Sequence, residues 1–208
     1  MAQEKRIVHY SSSQKILLVG EGDFSFAACL ATAFGSAANI VATSLNSREE
    51  LRVNYPNAMS HLKELEEKGC TILHGVDVHT MSQHPQLIYR RFDCIIYNFP
   101  HAGYLRGSFS SESDKSQILA RKNLVKGYFI SARQMLCIRG QIHVTHETKF
   151  PFTEWEIVNL AKEAGLYLVE EETFYPWQYP GYVNKRGSGN CDESFRVGMS
   201  STFKFAKY

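Results

Sequence analysis

Four apolar residues, Ile16 to Val19, run straight into Gly20-Glu21-Gly22-Asp23, and a helix-forming run from Phe26 to Phe34 then stops at Gly35. No other stretch constrains the fold as much. A strand that is apolar at every position has to be covered on both faces. Gly20 and Gly22 let the backbone bend tightly and approach a ligand closely. A buried strand, a glycine turn and a helix make the binding turn of a Rossmann-type nucleotide site. Glu21 and Asp23 narrow the choice of ligand. Two carboxylates repel a pyrophosphate but suit a ligand with hydroxyls and a cationic centre. S-adenosylmethionine, with its ribose, amino group and sulfonium, is such a ligand.

The same strand–helix pattern continues along the chain. Strands are expected at Asn39–Leu45, Thr71–Gly75, Phe92–Tyr97, Gln141–His146, Leu166–Phe174 and Ser201–Ala206. Ser47 with Glu50 three residues on is a capping box opening the next helix. Further helices are expected over Ala58–Lys68, within His79–Arg91, over Lys115–Ile138, and over Glu154–Ala164 with Thr153 as its cap. Alternation of this kind predicts an α/β fold with a mostly parallel sheet and helices on both faces. The last connection has no helical pattern, which suits a final strand inserted antiparallel. A Rossmann-like seven-stranded sheet of this kind resembles the architecture of methyltransferases.

The length of 208 residues, with 44% hydrophobic and 21% charged, fits one domain. We expect a flexible leader over residues 1–14 and a single domain over 15–208. The five cysteines are scattered, odd in number and mostly within apolar segments, so they read as reduced thiols of an intracellular protein. None has metal-ligand spacing, and no metal is expected. No segment is apolar enough for a signal peptide or a membrane span, so no membrane partner is expected. A net charge of +2 does not by itself imply nucleic acid. A monomer is the default.

In such sheets ligands bind beyond the carboxyl ends of the strands. On the donor side the candidates are Gly20, Glu21, Gly22, Asp23, Phe24, Ser44, Asn46, Asp77 and Val78. Asn46 stands where a ribose-binding acid is expected; its other reading is a helix cap. Asp77 has two readings also, an acceptor for an adenine amino group or a turn residue. On the acceptor side, Asn98-Phe99-Pro100-His101 resembles the Asn/Asp-Pro-Pro-aromatic turn of methyltransferases that act on base nitrogens. Phe99 would stack on a base and Pro100 would stiffen the turn. His101 is either a proton acceptor or a residue that orders the loop after it. His143 and His146 fall on opposite faces of their strand, which argues against a shared metal.

From Lys115 to His146 there are six Lys or Arg and no acid. Lys122 and Lys126 lie on one face of the expected helix, which is either a solvated face or a phosphate-tracking surface. Arg121 lies on the apolar side and would point toward the strand-end site. The segment after Phe174 places Tyr182 beside Lys185 and Arg186, a mixture that suits either a lid or contact with exposed bases.

In combination, Val19–Phe26, Ala42–Ser44, Gly75–Asp77, Asn98–Gly103 and Tyr179–Gly187 resemble the Rossmann-like domain of the eukaryotic 25S ribosomal RNA uridine-N3-methyltransferase family, over about residues 13–207. A plant member is the expectation. The resemblance implies S-adenosylmethionine as methyl donor and ribosomal RNA as partner, in the nucleus or nucleolus or in the cytoplasm. It assigns Gly20, Glu21, Gly22 and Asp77 to the donor and Asn98, Pro100 and His101 to the acceptor. An Asp is expected in that family where this chain has Asn46. A small-molecule transferase and a non-catalytic adenosyl-binding module are the alternative readings.

Overall fold

The computed structural model describes residues 3–102, 113–187 and 189–208. In chain order the elements are β1 (Arg6–Ile7), β2 (Tyr10–Ser11), β3 (Ile16–Leu18), α1 (Ser25–Phe34), β4 (Ile40–Thr43), α2 (Arg48–Asn54), α3 (Ala58–Glu67), β5 (Thr71–Leu73), β6 (Phe92–Asn98), α4 (Lys115–Met135), β7 (Leu136–Glu147), α5 (Ile157–Glu163), β8 (Leu166–Thr173) and β9 (Ser200–Lys207). Seven strands form one sheet in the order β5-β4-β3-β6-β7-β9-β8. The pairs from β5 to β7 are parallel, and β9 lies antiparallel between β7 and β8.

The unbroken apolar strands follow from a two-sided core. Ile16, Leu18, Ile40, Ala42, Cys94 and Ile96 join α1, α2 and α3 in one cluster. Their immediate neighbours Leu17, Val41, Ile95 and Tyr97 join α4 and α5 in the other. Successive side chains point to opposite faces, so each strand supplies both layers. Reversal of order at β3, with β4 on one side and β6 on the other, opens a crevice at their carboxyl ends.

Four local expectations need correction. Residues 1–14 are not a loose leader throughout: β1 and β2 pair as a hairpin. Tyr10 is only 1% exposed, with its hydroxyl 3.2 Å from His143 Nδ1. Two-residue strands are too short to show a period in the sequence. Within His79–Arg91 there is only a 3₁₀ turn at Met81–Gln83. Pro85 holds His84 in an extended conformation there and stops a helix. The helix expected to run to Ile138 ends at Met135, because Leu136 already pairs with Phe92. The helix expected from Glu154 is split: Phe152–Trp155 is 3₁₀, Glu156 is left-handed, and α5 begins at Ile157. That break sets Trp155 against His146. The sequence also predicts a loop over the Gly- and Ser-rich residues 101–114, most of which lie outside the described residues.

Candidate functional site

The turn after β3 shows why its acids are there. A helix begins with backbone N–H groups that have no partner. At the start of α1, Ser25 N–H donates to Asp23 Oδ1 at 3.0 Å and Ala27 N–H donates to Glu21 Oε2 at 3.1 Å. Two carboxylates thus occupy the helix N-terminus, the position that a bound phosphate would otherwise take. Phe24, directly after Asp23, is left-handed at φ 62°, an unusual conformation for a bulky residue and one that turns the chain into the helix. Gly20 is at φ 68°, and a Cβ there would sit 2.5 Å from Tyr97 Cε2. Gly22 has no such demand on it: a Cβ would meet its neighbours at 3.5 Å, an ordinary contact.

The two acids then part company. Asp23 is 3% exposed, and its Oδ2 lies 3.8 Å from Lys185 Nζ. Lys185 also binds Asp192 at 2.6 Å. Among the described residues Glu21 has no such cation. Burial pushes its carboxyl up to about 8, against the Ala27 hydrogen bond and with added repulsion from Asp23.

This turn lines a cavity of about 420 Å³ with Asn46, Asp77, Tyr97, Asn98 and Tyr182. Asn46 is not the helix cap: Ser47 takes that role, with Glu50 completing the box. Asp77 Oδ1 accepts from His79 N–H at 2.8 Å, so it shapes its own turn while facing the cavity. Among the described residues Asn98 Nδ2 is buried without a hydrogen-bond partner. A buried amide lacking its bond costs about 1–3 kcal/mol.

The turn after β6 is built with the same device. Phe99 is left-handed at φ 47°, and its N–H donates to Thr145 O at 2.7 Å. Its ring packs edge-on against Phe174 and Phe195, centroids 5.6 Å and 5.3 Å away. His101 Nε2 lies 3.2 Å from Arg121 Nη2. Since guanidinium can only donate, that nitrogen is the acceptor and the ring is neutral. Burial first, and Arg121 second, lower the His101 pKa to about 4. Arg121 is 1% exposed, with Cζ 5.4 Å over the Trp155 ring. The Trp155 indole is parallel to His146 at 5.3 Å, with 6° between the planes.

Phe99, His101 and Lys185 also line a second cavity of about 290 Å³, together with Pro100, Arg121 and Arg186. The two cavities meet along these side chains. The structure therefore brings together most of the residues expected from the sequence. Val78 joins the first cavity with the donor-side residues. Tyr182, expected against substrate, is in the first cavity too, its ring 5.1 Å from Phe26.

Four residues fall elsewhere. Phe24 is fully buried, 6.2 Å from His74, and Ser44 turns inward so that its hydroxyl accepts from Asn46 N–H. Lys122 pairs with Glu156, and Lys126 with Glu163 at 2.7 Å, outside both cavities. Sequence reasoning missed Tyr97 and Tyr55 in the first cavity and Trp155 in the second. Tyr97 carries a signal in retrospect, being the last apolar residue before Asn98. Trp155 carries none, because its direction depends on the left-handed Glu156.

Among the described residues no group of three or more His, Cys, Asp or Glu could hold a metal ion. His143 bonds Tyr10 and Gln141, while His146 lies between Trp155 and Phe203. No described helix is long and apolar enough to cross a membrane.

Known proteins place this geometry in context. An uncharacterised protein of Arabidopsis thaliana is 49% identical over 206 residues, which cover 98% of each chain. The 25S rRNA (uridine(2634)-N(3))-methyltransferase of Saccharomyces cerevisiae is 22% identical, over 90% of this chain and 70% of that protein. Among solved structures, NSun6 from Pyrococcus horikoshii matches with a TM-score of 0.62 at 16% identity, over 94% of this chain and 48% of that one. At that identity the likeness is one of fold. Residues 17–186 match the family described as BMT5-like, rRNA (uridine-N3-)-methyltransferase, and the chain belongs to that family.

Proposed function

We propose that this protein transfers a methyl group from S-adenosylmethionine to N3 of a uridine in ribosomal RNA. The observation that carries the reading is the meeting of two turns from adjacent strands. One presents Glu21 and the other presents Asn98 and His101, and all three line one cavity. The donor-side residues fit the donor. A carboxyl held near 8 by burial favours a cationic group as neighbour. Asn46 and Asp77 offer hydrogen bonds suited to ribose hydroxyls and an adenine amine. Carboxylates on the N-terminus of α1 disfavour a dinucleotide.

In this reading the protein's main work is alignment. Bringing nucleophile, methyl carbon and sulfur into line supplies most of the acceleration. The orphan amide of Asn98 would grip the acceptor base. The nuclear or nucleolar setting is the one in which such an RNA would be met.

The test is calorimetry with S-adenosylmethionine, followed by incubation of a 25S-type rRNA transcript with methyl-labelled donor and analysis of the nucleosides. Label in 3-methyluridine is the expected result. Absence of binding heat, or label in another nucleoside, would overturn the proposal.

One observation favours a small acceptor as the second reading. Lys122, Lys126 and Lys185 all face acids, which reduces the cationic surface open to a phosphate backbone. Charge reversal of Lys122 and Lys126 discriminates. On the RNA reading it weakens RNA binding and flattens its salt dependence; on the small-acceptor reading transfer is unchanged.

A further inference from the structure

The N3 of a uridine carries a proton at neutral pH, so its methylation requires a group that takes that proton. His101 is the obvious candidate by position, yet its Nε2 already accepts from Arg121. Its pKa of about 4 makes it a weak base as well. Another group lines the second cavity, which His101 borders as well. Glu147 is the last residue of β7, two positions beyond Thr145, which pairs with Asn98 across the sheet. Its carboxylate is the one acid lining the second cavity among the described residues. Arg121, Lys185 and Arg186 line that cavity with it, as do His101 and His146. The carboxylate lies beside Gly198, where a Cβ would come within 3.1 Å of Oε2.

We propose that Glu147, in place of His101, accepts the proton from the acceptor nitrogen, while Arg121 faces the charge that develops on the base. This rests on the function proposed above. As the N3–H bond breaks, its proton passes to a Glu147 oxygen and its electron pair stays on the base. The N3 lone pair forms the bond to the methyl carbon. The carbon–sulfur bond breaks with its electrons left on sulfur, giving a neutral thioether. The proton then leaves Glu147 for solvent. Burial raises the Glu147 pKa, which makes it a stronger base than an ordinary carboxylate.

The experiment compares wild type with Glu147→Gln and Glu147→Asp on two 25S-type rRNA transcripts, one made with uridine and one with 5-fluorouridine. The fluorinated base gives up its N3 proton more readily, so it needs less help from a base. For Glu147→Gln we expect kcat on the uridine transcript to fall about 100-fold. The KM for S-adenosylmethionine and the melting temperature should stay near wild type, and the loss should shrink on 5-fluorouridine. Glu147→Asp should retain part of the rate. The proposal is overturned if Glu147→Gln matches wild type, or if its loss is equal on both transcripts. Failure of the wild-type enzyme on both transcripts would sink the function reading itself, and the proposal with it.

Discussion

The turns after β3 and β6 are built alike and charged in opposite senses. Each carries a phenylalanine in the left-handed region, Phe24 in the first and Phe99 in the second. Each hands its chain from a buried parallel strand to a binding surface. Yet the first surrounds its cavity with acids that also cap a helix, and the second packs against a buried arginine. One backbone device therefore serves two electrostatic purposes. A strained φ fixes where the side chains start, and the neighbouring strands decide what charge they meet. The first turn presents acids to its cavity, and the second presents a histidine held by a buried guanidinium.

The largest effect should come from breaking the first turn. Gly20→Val puts a branched Cβ at φ 68° and into Tyr97, whose ring is itself packed against Tyr128 at 5.3 Å. We expect a stability loss of about 3 kcal/mol in denaturant unfolding, with loss of donor binding. An unchanged midpoint would mean that the strained geometry is not required.

Arg121→Leu should act on the second turn alone. Transfer should fall on the order of 100-fold, as for loss of a donor that faces developing charge. The His101 pKa, freed of one of its two depressing causes, should rise above about 4 in an NMR titration. Donor affinity should be unchanged; if it fell in step, the two turns would not be separate electrostatic units.

The smallest effect is a pH dependence on the donor side. Glu21 titrates at about 8 in the folded protein against 4.5 for the free group, so below that range it is mostly neutral. A cationic ligand binds the anion, so affinity should rise with pH up to about 8, by at most about tenfold per pH unit. Without ligand the sign is opposite. The raised pKa means that this carboxyl's contribution to stability is lost as pH climbs from 4.5 toward 8. Titration calorimetry in buffers of different ionisation enthalpy should detect proton release on binding, and Glu21→Gln should abolish it.

Much of this was legible in the chain because the sheet announces itself. Runs such as Ile16–Val19 and Phe92–Tyr97 are apolar at every position, and only a sheet covered on both faces explains that. The strand ends followed, and with them Glu21, Asp77 and Asn98. Long-range pairing was not legible. Nothing near Asp23 says that Lys185 will neutralise it, and nothing near Lys122 predicts Glu156 across from it. The direction of a single aromatic was equally hidden, as Trp155 shows, since it turns on one left-handed residue.

Lys185 leaves one consequence to draw. Its ammonium is shared between Asp23 in the donor turn and Asp192 in the late segment, and its side chain borders both cavities. A single charge is thus common property of two rooms. On the proposed function, filling one room would alter the terms on which the other is filled, and the sequence of arrival of the two reactants would become a matter of architecture and not only of concentration.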